Sequence, residues 1–189
     1  MREARSLVVV ASSAGGVQAL IELLTGLPAE LRAAVLIAQH MREGEQPTRL
    51  PEILNARSPL EVRVATSGRA IEHGWAFVAE PGRHLAVDGC RLRLDDGPPV
   101  NHVRPSADVL FRSAAKHFGP RAVGIVLSGT GKDGAAGCVA VRSAGGTTIA
   151  QGEASSTFFE MARAAIAVSG IDHVLELTEI AGAVVEIID

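Results

Sequence analysis

The sequence predicts an α/β fold, in which a doubly wound, mostly parallel sheet carries helices on both faces and a small antiparallel hairpin section occupies the middle of the chain. Apolar runs of strand length alternate with segments of helical spacing, an order typical of parallel β-α-β units. Between Gly68 and Asp96 the hydrophobic period is two, which is typical of antiparallel strands. A chain of 189 residues, 47% of them hydrophobic, suffices for one buried core, so we predict a single domain over residues 1–189.

The first half of the chain begins with two apolar strands joined by a helix. Residues 7–10 form the first strand, and helical spacing follows over residues 17–24. Residues 33–38 form the second strand, and residues 43–51 are a polar connection. Two short elements complete this part, a helix with one apolar side and an alternating strand, over residues 50–54 and 62–65.

The middle section is predicted to be antiparallel and partly exposed. Its three segments are residues 75–79, 84–87 and 91–94, in which we interpret the pattern as alternation of apolar and polar positions. Asp88-Gly89 is a typical hairpin turn between the last two of these segments.

The second half returns to alternating helices and buried strands. Residues 107–118 have helical spacing with Ser106 as N-cap, and residues 122–127 form a third fully apolar strand. The loop after this strand contains Asp133. The remaining predicted elements are a helix over 137–144, a strand over 147–150, a helix over 159–167, a strand over 174–177 and a final helix from Glu179.

The composition argues against several classes of function. A net charge of −3, a pI near 6.1 and 3% aromatic residues exclude the basic field and the stacking surfaces that nucleic-acid binding uses. The two cysteines, Cys90 and Cys138, form no C-x-x-C pair, and His84, His102 and His117 have no metal-ligand spacing, so we expect no metal and place these histidines on the surface or in loops. No cofactor is implied.

The first ten residues contain only four consecutive aliphatics, residues 7–10, which is too short for a signal-peptide core or a membrane span. We therefore expect a cytoplasmic protein without membrane insertion.

Three predicted strands end in polar side chains that suit a catalytic triad. Ser12 and Ser13 follow the first strand, His40 follows the second, and Asp133 lies in the loop after the third apolar strand. The carboxyl ends of parallel strands meet at one edge of the sheet, where open α/β sheets bind their ligands. In a triad, histidine takes the serine proton and a carboxylate orients the imidazole. The sequence thus offers Ser12 or Ser13, His40 and Asp133 as a possible triad.

Each of these residues also has a purely structural interpretation. The turn after the first strand offers free backbone N–H groups that suit an anion as well as a nucleophile, and Ser13 there is also a typical N-cap or turn residue. Taken alone, His40 also fits a buried histidine that bonds a backbone carbonyl. Asp133 is also typical of a cap on the helix that starts near Gly134. Their occurrence together on one sheet edge favours the catalytic interpretation.

An ordered set of motifs makes the chain resemble the catalytic domain of the bacterial chemotaxis protein-glutamate methylesterases. The motifs are Ala-Ser-Ser-Ala-Gly-Gly at 11–16, Gln-His-Met at 39–41, Asp-Gly-Pro-Pro-Val-Asn at 96–101, Arg-Pro-Ser-Ala-Asp-Val-Leu-Phe at 104–111, Leu-Ser-Gly at 127–129, Gly-Lys-Asp-Gly at 131–134 and Gln-Gly-Glu-Ala-Ser at 151–155. The resemblance implies a doubly wound domain that removes methyl esters from glutamates of chemoreceptors, and that often deamidates receptor glutamines.

The resemblance also implies roles for single residues. Ser13 matches the nucleophile, His40 the general base and Asp133 the carboxylate that orients it. With these roles we expect Ser13 Oγ near His40 Nε2 and Asp133 near His40 Nδ1. Ser12 falls on a position that is usually alanine and is therefore interpreted as structural. The chain departs from the family where threonine usually follows the nucleophile and where methionine usually lies in the loop of the third apolar strand, since these positions are Ala14 and Thr130. We expect both to shape the oxyanion region.

Arg104, in the Arg-Pro-Ser loop, has two interpretations. It suits contact with an acidic substrate, and it equally suits a salt bridge that anchors its own loop.

The partner implied is the methylated helical cytoplasmic region of chemoreceptors. Family members often carry a receiver domain, which residues 1–189 are expected to lack, so we expect any such domain to act in trans. Two other functions fit the same residues: a non-catalytic binding module on this fold, and a serine esterase whose substrate is not a chemoreceptor.

Overall fold

The core of the fold is a parallel sheet around β1 (Ser6–Ser12), a strand whose residues from Leu7 onward are all buried. The computed structural model describes residues 4–41 and 49–189, and in these ranges the sheet has seven strands, all paired in parallel. Besides β1, these strands are β2 (Ala33–Gln39), β3 (Glu61–Val64), β4 (Trp75–Val78), β7 (Ala122–Val126), β8 (Thr147–Gln151) and β9 (His173–Leu175). Their spatial order is β3-β4-β2-β1-β7-β8-β9.

The strand order reverses between β1 and β7, which makes their carboxyl ends the topological switch point of the sheet. From β1 the chain moves outward through β2 on one side and, later, from β7 through β8 and β9 on the other. The loops on the two sides of such a point leave a crevice at the carboxyl edge of the sheet. The segments after β1, β2 and β7 all border this crevice, as the sequence predicts.

Helices cover both faces of the sheet because successive side chains of its apolar strands point to opposite sides. In β1, Val8 and Val10 belong to one buried apolar cluster, and Leu7 and Val9 belong to the other. The first cluster is completed by α1 (Gly16–Thr25), α2 (Leu50–Asn55) and α6 (Leu177–Ile188), and the second by α3 (Ala107–Phe118), α4 (Ala135–Ser143) and α5 (Glu160–Ala167). The predicted doubly wound α/β architecture is confirmed.

The middle section contains one antiparallel hairpin, formed by β5 (His84–Asp88) and β6 (Arg91–Asp95), which packs beside α3. The prediction that residues 75–79 belong to this section is wrong, because β4 lies in the main sheet between β2 and β3. Residues 76–79 are buried on both faces, so this segment is a continuous apolar strand and not an alternating one. The hairpin turn is Gly89-Cys90, one residue later than predicted, with Gly89 at φ 58°.

The bounds of several elements differ by one or two residues from the prediction, among them the last helix and the strand before it. The final helix begins at Leu177, two residues before Glu179, because the side chains of Glu176 and Glu179 form a capping box there. The preceding strand consequently ends at Leu175, and its Val174 is exposed. Most of the polar connection predicted over residues 43–51 lies outside the described residues.

In the ranges 4–41 and 49–189, none of the helices combines the length and the apolar character needed to cross a membrane. The same ranges contain no group of three or more His, Cys, Asp or Glu side chains arranged to hold a metal ion.

Candidate active site

The turn after β1 presents Ser13 at the carboxyl edge of the sheet. Ser13 N donates to Ser128 O at 3.0 Å, and Gly16 N donates to Ser13 O at 2.9 Å, so the turn is tied both to the neighbouring loop and to itself. Gly15, at φ 73°, occupies the N-cap position of α1, where no side chain caps the helix. Ser13 is half-buried and does not act as the N-cap that one interpretation of the sequence allowed.

The side chain of Ser12 lies inside the protein and is bonded there, which suits the structural role predicted from the sequence. Its side chain is fully buried, and its Oγ donates to Gln39 Oε1 at 2.6 Å. The same glutamine amide holds the backbone on both sides of the crevice, because its Nε2 donates to Ser13 O at 3.0 Å and to His40 O at 2.8 Å. The two hydrogens of the Gln39 amide are thus bonded to the backbone of Ser13 and of His40, the two neighbouring members of the predicted triad.

Gly129 lets the loop after β7 approach Ser13 closely. A Cβ built on Gly129 would lie 2.8 Å from Ser13 Cβ and would also collide with the sulfur of Met161, which is buried. Hydrogen bonds hold this loop against the segment before α5, since Gly129 N donates to Phe158 O at 2.9 Å and Met161 N donates to Gly129 O at 3.1 Å. The space around Ser13 is therefore fixed by backbone on one side.

His40 pairs with Asp133 across the crevice. His40 Nε2 lies 2.8 Å from Asp133 Oδ2, and the exposed fractions of the two side chains are 10% and 3%. The expectation that Asp133 contacts Nδ1 is wrong, because β2 delivers the ring with Nε2 towards the carboxylate. An ionised carboxylate only accepts hydrogen bonds, so Nε2 carries the hydrogen and Nδ1 has the free lone pair.

Ser13 and His40 lie on neighbouring strand ends, since β1 pairs with β2 in register from Ser6 and Ala33 to Ser12 and Gln39. Among the described residues no hydrogen bond joins the Ser13 hydroxyl to the His40 ring. Such contacts are often long in the absence of substrate and tighten when it binds. The expected contact between Ser13 Oγ and His40 Nε2 is therefore wrong, because Asp133 engages Nε2. Nδ1 is the ring nitrogen without a hydrogen-bond partner among the described residues.

Asp133 is surrounded by hydrogen-bond donors. Besides His40, four groups donate to its two oxygens: Ser106 Oγ at 2.6 Å, Asn101 Nδ2 at 3.0 Å, Ala107 N at 2.6 Å and Asp108 N at 3.3 Å. Burial by itself raises the pKa of this carboxyl, but the hydrogen bonds from His40, Ser106, Asn101 and the Ala107 amide outweigh it and hold the pKa of Asp133 below its ordinary value. Asp133 therefore stays ionised beside the imidazole.

The capping interpretation of Asp133 applies to a different helix from the predicted one. Its carboxylate accepts the amides of Ala107 and Asp108 at the start of α3. The N-cap of α4 is Gly134, and the carboxylate at the start of that helix is Asp108 and not Asp133. Ser106 does occupy the N-cap position of α3, yet its hydroxyl donates to Asp133 and caps no amide. The carboxylate thus gains the favourable field of a helix N-terminus while it orients His40.

His84 is buried, contrary to the prediction of a surface or loop histidine. His84 is 2% exposed. The backbone N–H of Ser106 donates to its Nδ1 at 3.1 Å. Its Nε2 lies 3.0 Å from Pro98 O, a carbonyl that only accepts, so this ring is neutral with its hydrogen on Nε2. His84 thereby supports the residue that donates to Asp133.

Three amides near Ser13 are available to a ligand. In residues 4–41 and 49–189, no hydrogen bond uses the backbone N–H of Ala14, Gly15 or Thr130. Ala14 follows Ser13 directly, and Thr130 follows the close-packed Gly129 and is exposed. The next amide, Gly131 N, donates to Glu160 Oε2 at 3.2 Å and restrains the loop that carries Thr130.

Arg104 anchors its own loop through carbonyls. Its Nη1 donates to Gly97 O at 2.9 Å and to Asp96 O at 3.3 Å. Among the described residues it forms no salt bridge, because Arg83 takes the Asp96 carboxylate. The Nε of Arg104 is buried without a partner in the same part of the chain.

An open, mainly apolar cleft of about 210 Å³ adjoins His40. Its walls come from the start of α1, the end of β2 and the start of α2. Val17 and Ile53 are large apolar side chains there with exposed fractions of 38% and 45%. Arg49 contributes a cation at the same cleft.

Sequence reasoning did not single out the side chains that orient the three predicted residues. These are Gln39, Asn101 and the buried His84, whose contacts are described above. Gln39 had a local signal, since it precedes His40 at a strand end. Asn101 ends one of the quoted motifs, but neither Asn101 nor His84 had a local signal for its contact, because their partners Asp133 and Ser106 lie 32 and 22 residues away in the chain.

Comparison with known proteins shows the family to which the chain is similar. The family model described as CheB methylesterase matches residues 8–184 of the chain. A protein of Anaeromyxobacter dehalogenans named protein-glutamate methylesterase/protein-glutamine glutaminase 2 is 42% identical over 180 residues, which are 95% of this chain and 52% of that protein. A relative from Burkholderia pseudomallei, named protein-glutamate methylesterase/protein-glutamine glutaminase 1, is 45% identical over 177 residues, covering 92% and 48%. The chain spans about half the length of these relatives.

A solved structure has the same fold. The crystal structure of the Thermotoga maritima CheB methylesterase catalytic domain matches with a TM-score of 0.90 at 30% sequence identity. The match covers 96% of this chain and 97% of that one.

Proposed function

Because this chain belongs to the CheB methylesterase family, we propose that it hydrolyses glutamate methyl esters with Ser13 as nucleophile, His40 as general base and Asp133 as the carboxylate that orients His40. The observation that carries the proposal is the His40–Asp133 pair at 2.8 Å, on the sheet edge where the nucleophile turn also lies. An ionised, buried carboxylate on one nitrogen of a histidine favours a proton on the other.

The first half of the reaction forms an acyl-enzyme. Ser13 Oγ attacks the ester carbonyl carbon while His40 Nδ1 takes the hydroxyl proton, and the Asp133 carboxylate stabilises the imidazolium. The tetrahedral intermediate then breaks its bond to the methoxy oxygen. His40 returns its proton to this oxygen, and methanol leaves.

The second half regenerates the enzyme. Water gives a proton to His40 Nδ1 as its oxygen attacks the acyl carbon, and collapse of the new intermediate returns that proton to Ser13 Oγ. The product is the glutamate side-chain carboxylic acid, which releases its remaining proton to solvent and becomes the carboxylate. Throughout, Asp133 keeps its charge, because its donors hold its pKa low and Oδ2 remains bonded to His40 Nε2.

The amide of Ala14 is our candidate for stabilising the developing oxyanion. The backbone N–H of the residue after a serine nucleophile has this role in strand-turn-helix hydrolases. The free amides of Gly15 and Thr130 are the further candidates in the same region, and loss of one such donor typically costs about 100- to 1,000-fold in rate. Because a backbone donor needs no particular side chain, Ala14 and Thr130 are compatible with this role.

We infer that the substrate is the methylated helical region of chemoreceptors. The cleft beside His40 supports this, because its exposed apolar walls fit the apolar side of a helix and Arg49 is positioned for an acidic neighbour of the ester. In this proposal Arg104 is a loop anchor, which the bonds from its Nη1 to Asp96 O and Gly97 O support.

Deamidation of receptor glutamines is included in the proposal. The relatives named above carry glutaminase in their names. The chemistry of the first half-reaction is the same, except that the proton from His40 goes to nitrogen and ammonia leaves. Control by a receiver domain in trans stays a prediction, tested by adding a phosphorylated receiver domain to the assay.

The decisive experiment measures methanol release from a methylated receptor fragment. Wild type should release methanol, and Ser13→Ala and His40→Ala should lose this activity, whereas Ser12→Ala should keep more of it than Ser13→Ala. A serine-directed phosphonate should label wild type and leave Ser13→Ala unlabelled. Equal labelling of the two proteins rejects Ser13 as nucleophile.

The same assays separate the other functions. Phosphonate labelling without methanol release from any methylated receptor favours a serine esterase with another substrate. Receptor binding without labelling or release favours a non-catalytic module.

A further inference from the structure

Two buried carboxylates lie side by side at the back of the candidate site. Asp108 and Asp133 are 4% and 3% exposed. Asp133 accepts amides at the start of α3, and Asp108 accepts amides at the start of α4. Asp108 Oδ1 accepts Gly134 N at 3.0 Å and Gly137 N at 2.7 Å. Like charges repel strongly in a buried setting, so this pair needs donors between its members.

Asn101 supplies those donors. Its Nδ2 donates to Asp108 Oδ2 at 2.8 Å and to Asp133 Oδ1 at 3.0 Å, so both amide hydrogens are used and each carboxylate receives one. Among the described residues no other side chain is bonded to both carboxylates. A neutral double donor at this point joins the two anions without adding charge.

The backbone around Asn101 is built to deliver this side chain. Val100 and Val103 exchange two hydrogen bonds of 3.1 Å, which makes Asn101 and His102 the two central residues of a tight turn. Both have left-handed conformations, with φ of 52° and 65°. Asn tolerates this region better than most residues, while His102 is exposed and takes no part in the carboxylate contacts.

We propose that Asn101 is a positioning residue for the reaction, which fixes Asp133 so that Oδ2 faces His40 Nε2. The inference rests on the proposed catalytic roles of His40 and Asp133. Asn101 and Ser106 hold Oδ1, which leaves Oδ2 to the Ala107 amide and His40. Without Asn101, Asp133 Oδ1 loses a donor and meets Asp108 Oδ2 across an empty space. Repulsion then turns the carboxylate away from the imidazole.

Asn101→Gly tests this with the backbone preserved, because glycine adopts the left-handed conformation without strain. His102→Gly is the matched control, since it makes the same change one residue on in the same turn. We expect Asn101→Gly to lower kcat by on the order of 10- to 100-fold with little change in KM, as misplacement of a catalytic group does. His102→Gly should keep wild-type kcat.

A second readout reports directly on His40. In protein labelled with ¹⁵N-histidine, wild type and His102→Gly should show His40 with its hydrogen on Nε2, whereas Asn101→Gly should show a mixture of the two tautomers. A merely structural role would lower thermal stability without moving the tautomer. This readout needs no substrate, so it decides the role of Asn101 even if wild type releases no methanol and the proposed function fails.

Asn101→Asp separates charge from shape, since the side chains have nearly the same size. A third carboxylate beside Asp108 and Asp133 should reduce kcat at least as much as Asn101→Gly does. The inference is overturned if Asn101→Asp is as active as wild type, if Asn101→Gly and His102→Gly lose kcat equally, or if kcat falls while the His40 tautomer is unchanged.

Discussion

The side chain of Gln39 holds the backbone of Ser13 in place, because Gln39 Nε2 donates to Ser13 O at 3.0 Å. The same nitrogen donates to His40 O at 2.8 Å, so one buried amide sets the spacing between the proposed nucleophile and base. Gln39→Glu should therefore lower kcat and destabilise the fold by about 1–3 kcal/mol, the usual cost of leaving buried groups without partners.

Methanol release and urea denaturation measure the two effects of Gln39→Glu. Gln18→Glu is the matched control, because Gln18 is exposed on α1 and should tolerate the same change. Wild-type kcat in Gln39→Glu would contradict the positioning role of this amide.

A methyl group at Gly129 should disable the site. It would meet Ser13 Cβ at 2.8 Å and the buried Met161, so the loop after β7 must move away from Ser13. We expect Gly129→Ala to reduce kcat/KM by on the order of 100-fold. Gly182→Ala makes the same change in open space on α6, and it should raise stability by about 0.5–1 kcal/mol without affecting kcat/KM. Full activity of Gly129→Ala would show that the close approach to Ser13 is dispensable.

The low pKa of Asp133 should make its contribution to stability depend on pH. A carboxyl whose folded pKa lies below its unfolded value stabilises the fold above the unfolded pKa, about 3.9 for Asp, and this contribution disappears as the pH falls through the folded pKa. The difference in unfolding free energy between wild type and Asp133→Asn should therefore shrink as the pH is lowered from 5 to below 3.

Urea denaturation across this pH range measures the effect. Ser13→Ala is the reference, since it leaves Asp133 and its donors intact and should follow the pH dependence of wild type. A constant difference between wild type and Asp133→Asn at all these pH values would contradict the prediction.

The two cysteines should differ in reactivity. Cys138 is buried in α4, where burial and the nearby charges of Asp108 and Asp172 raise the pKa of its thiol, whereas Cys90 is exposed in the hairpin turn. Because the thiolate is the reactive form, a thiol reagent should modify one cysteine in the native protein and two after denaturation. Native Cys90→Ser should show no modification. Rapid labelling of that variant would contradict the burial of Cys138.

The periodicity of apolar residues and the turn residues in the sequence determine most of the order of strands and helices in this protein. The apolar strands that became β1, β2 and β7 are recognisable because they are buried on both faces, and α3 begins and ends at the predicted residues. Parallel strands bring their carboxyl ends to one edge, so the meeting of the segments with Ser13, His40 and Asp133 also follows from the sequence. The catalytic assignment of these residues stays a prediction for the assays above.

Only the tertiary structure decided how these residues are held. His40 and Asp133 are 93 residues apart, and no local pattern states that Nε2 meets the carboxylate or that Asp133 caps α3. The membership of β4 in the main sheet and the bridging amide of Asn101 are likewise absent from local periodicity. Periodicity records which face of an element is buried. Hydrogen-bond partners depend on which distant elements the packed core brings together, and that is settled when the whole chain folds.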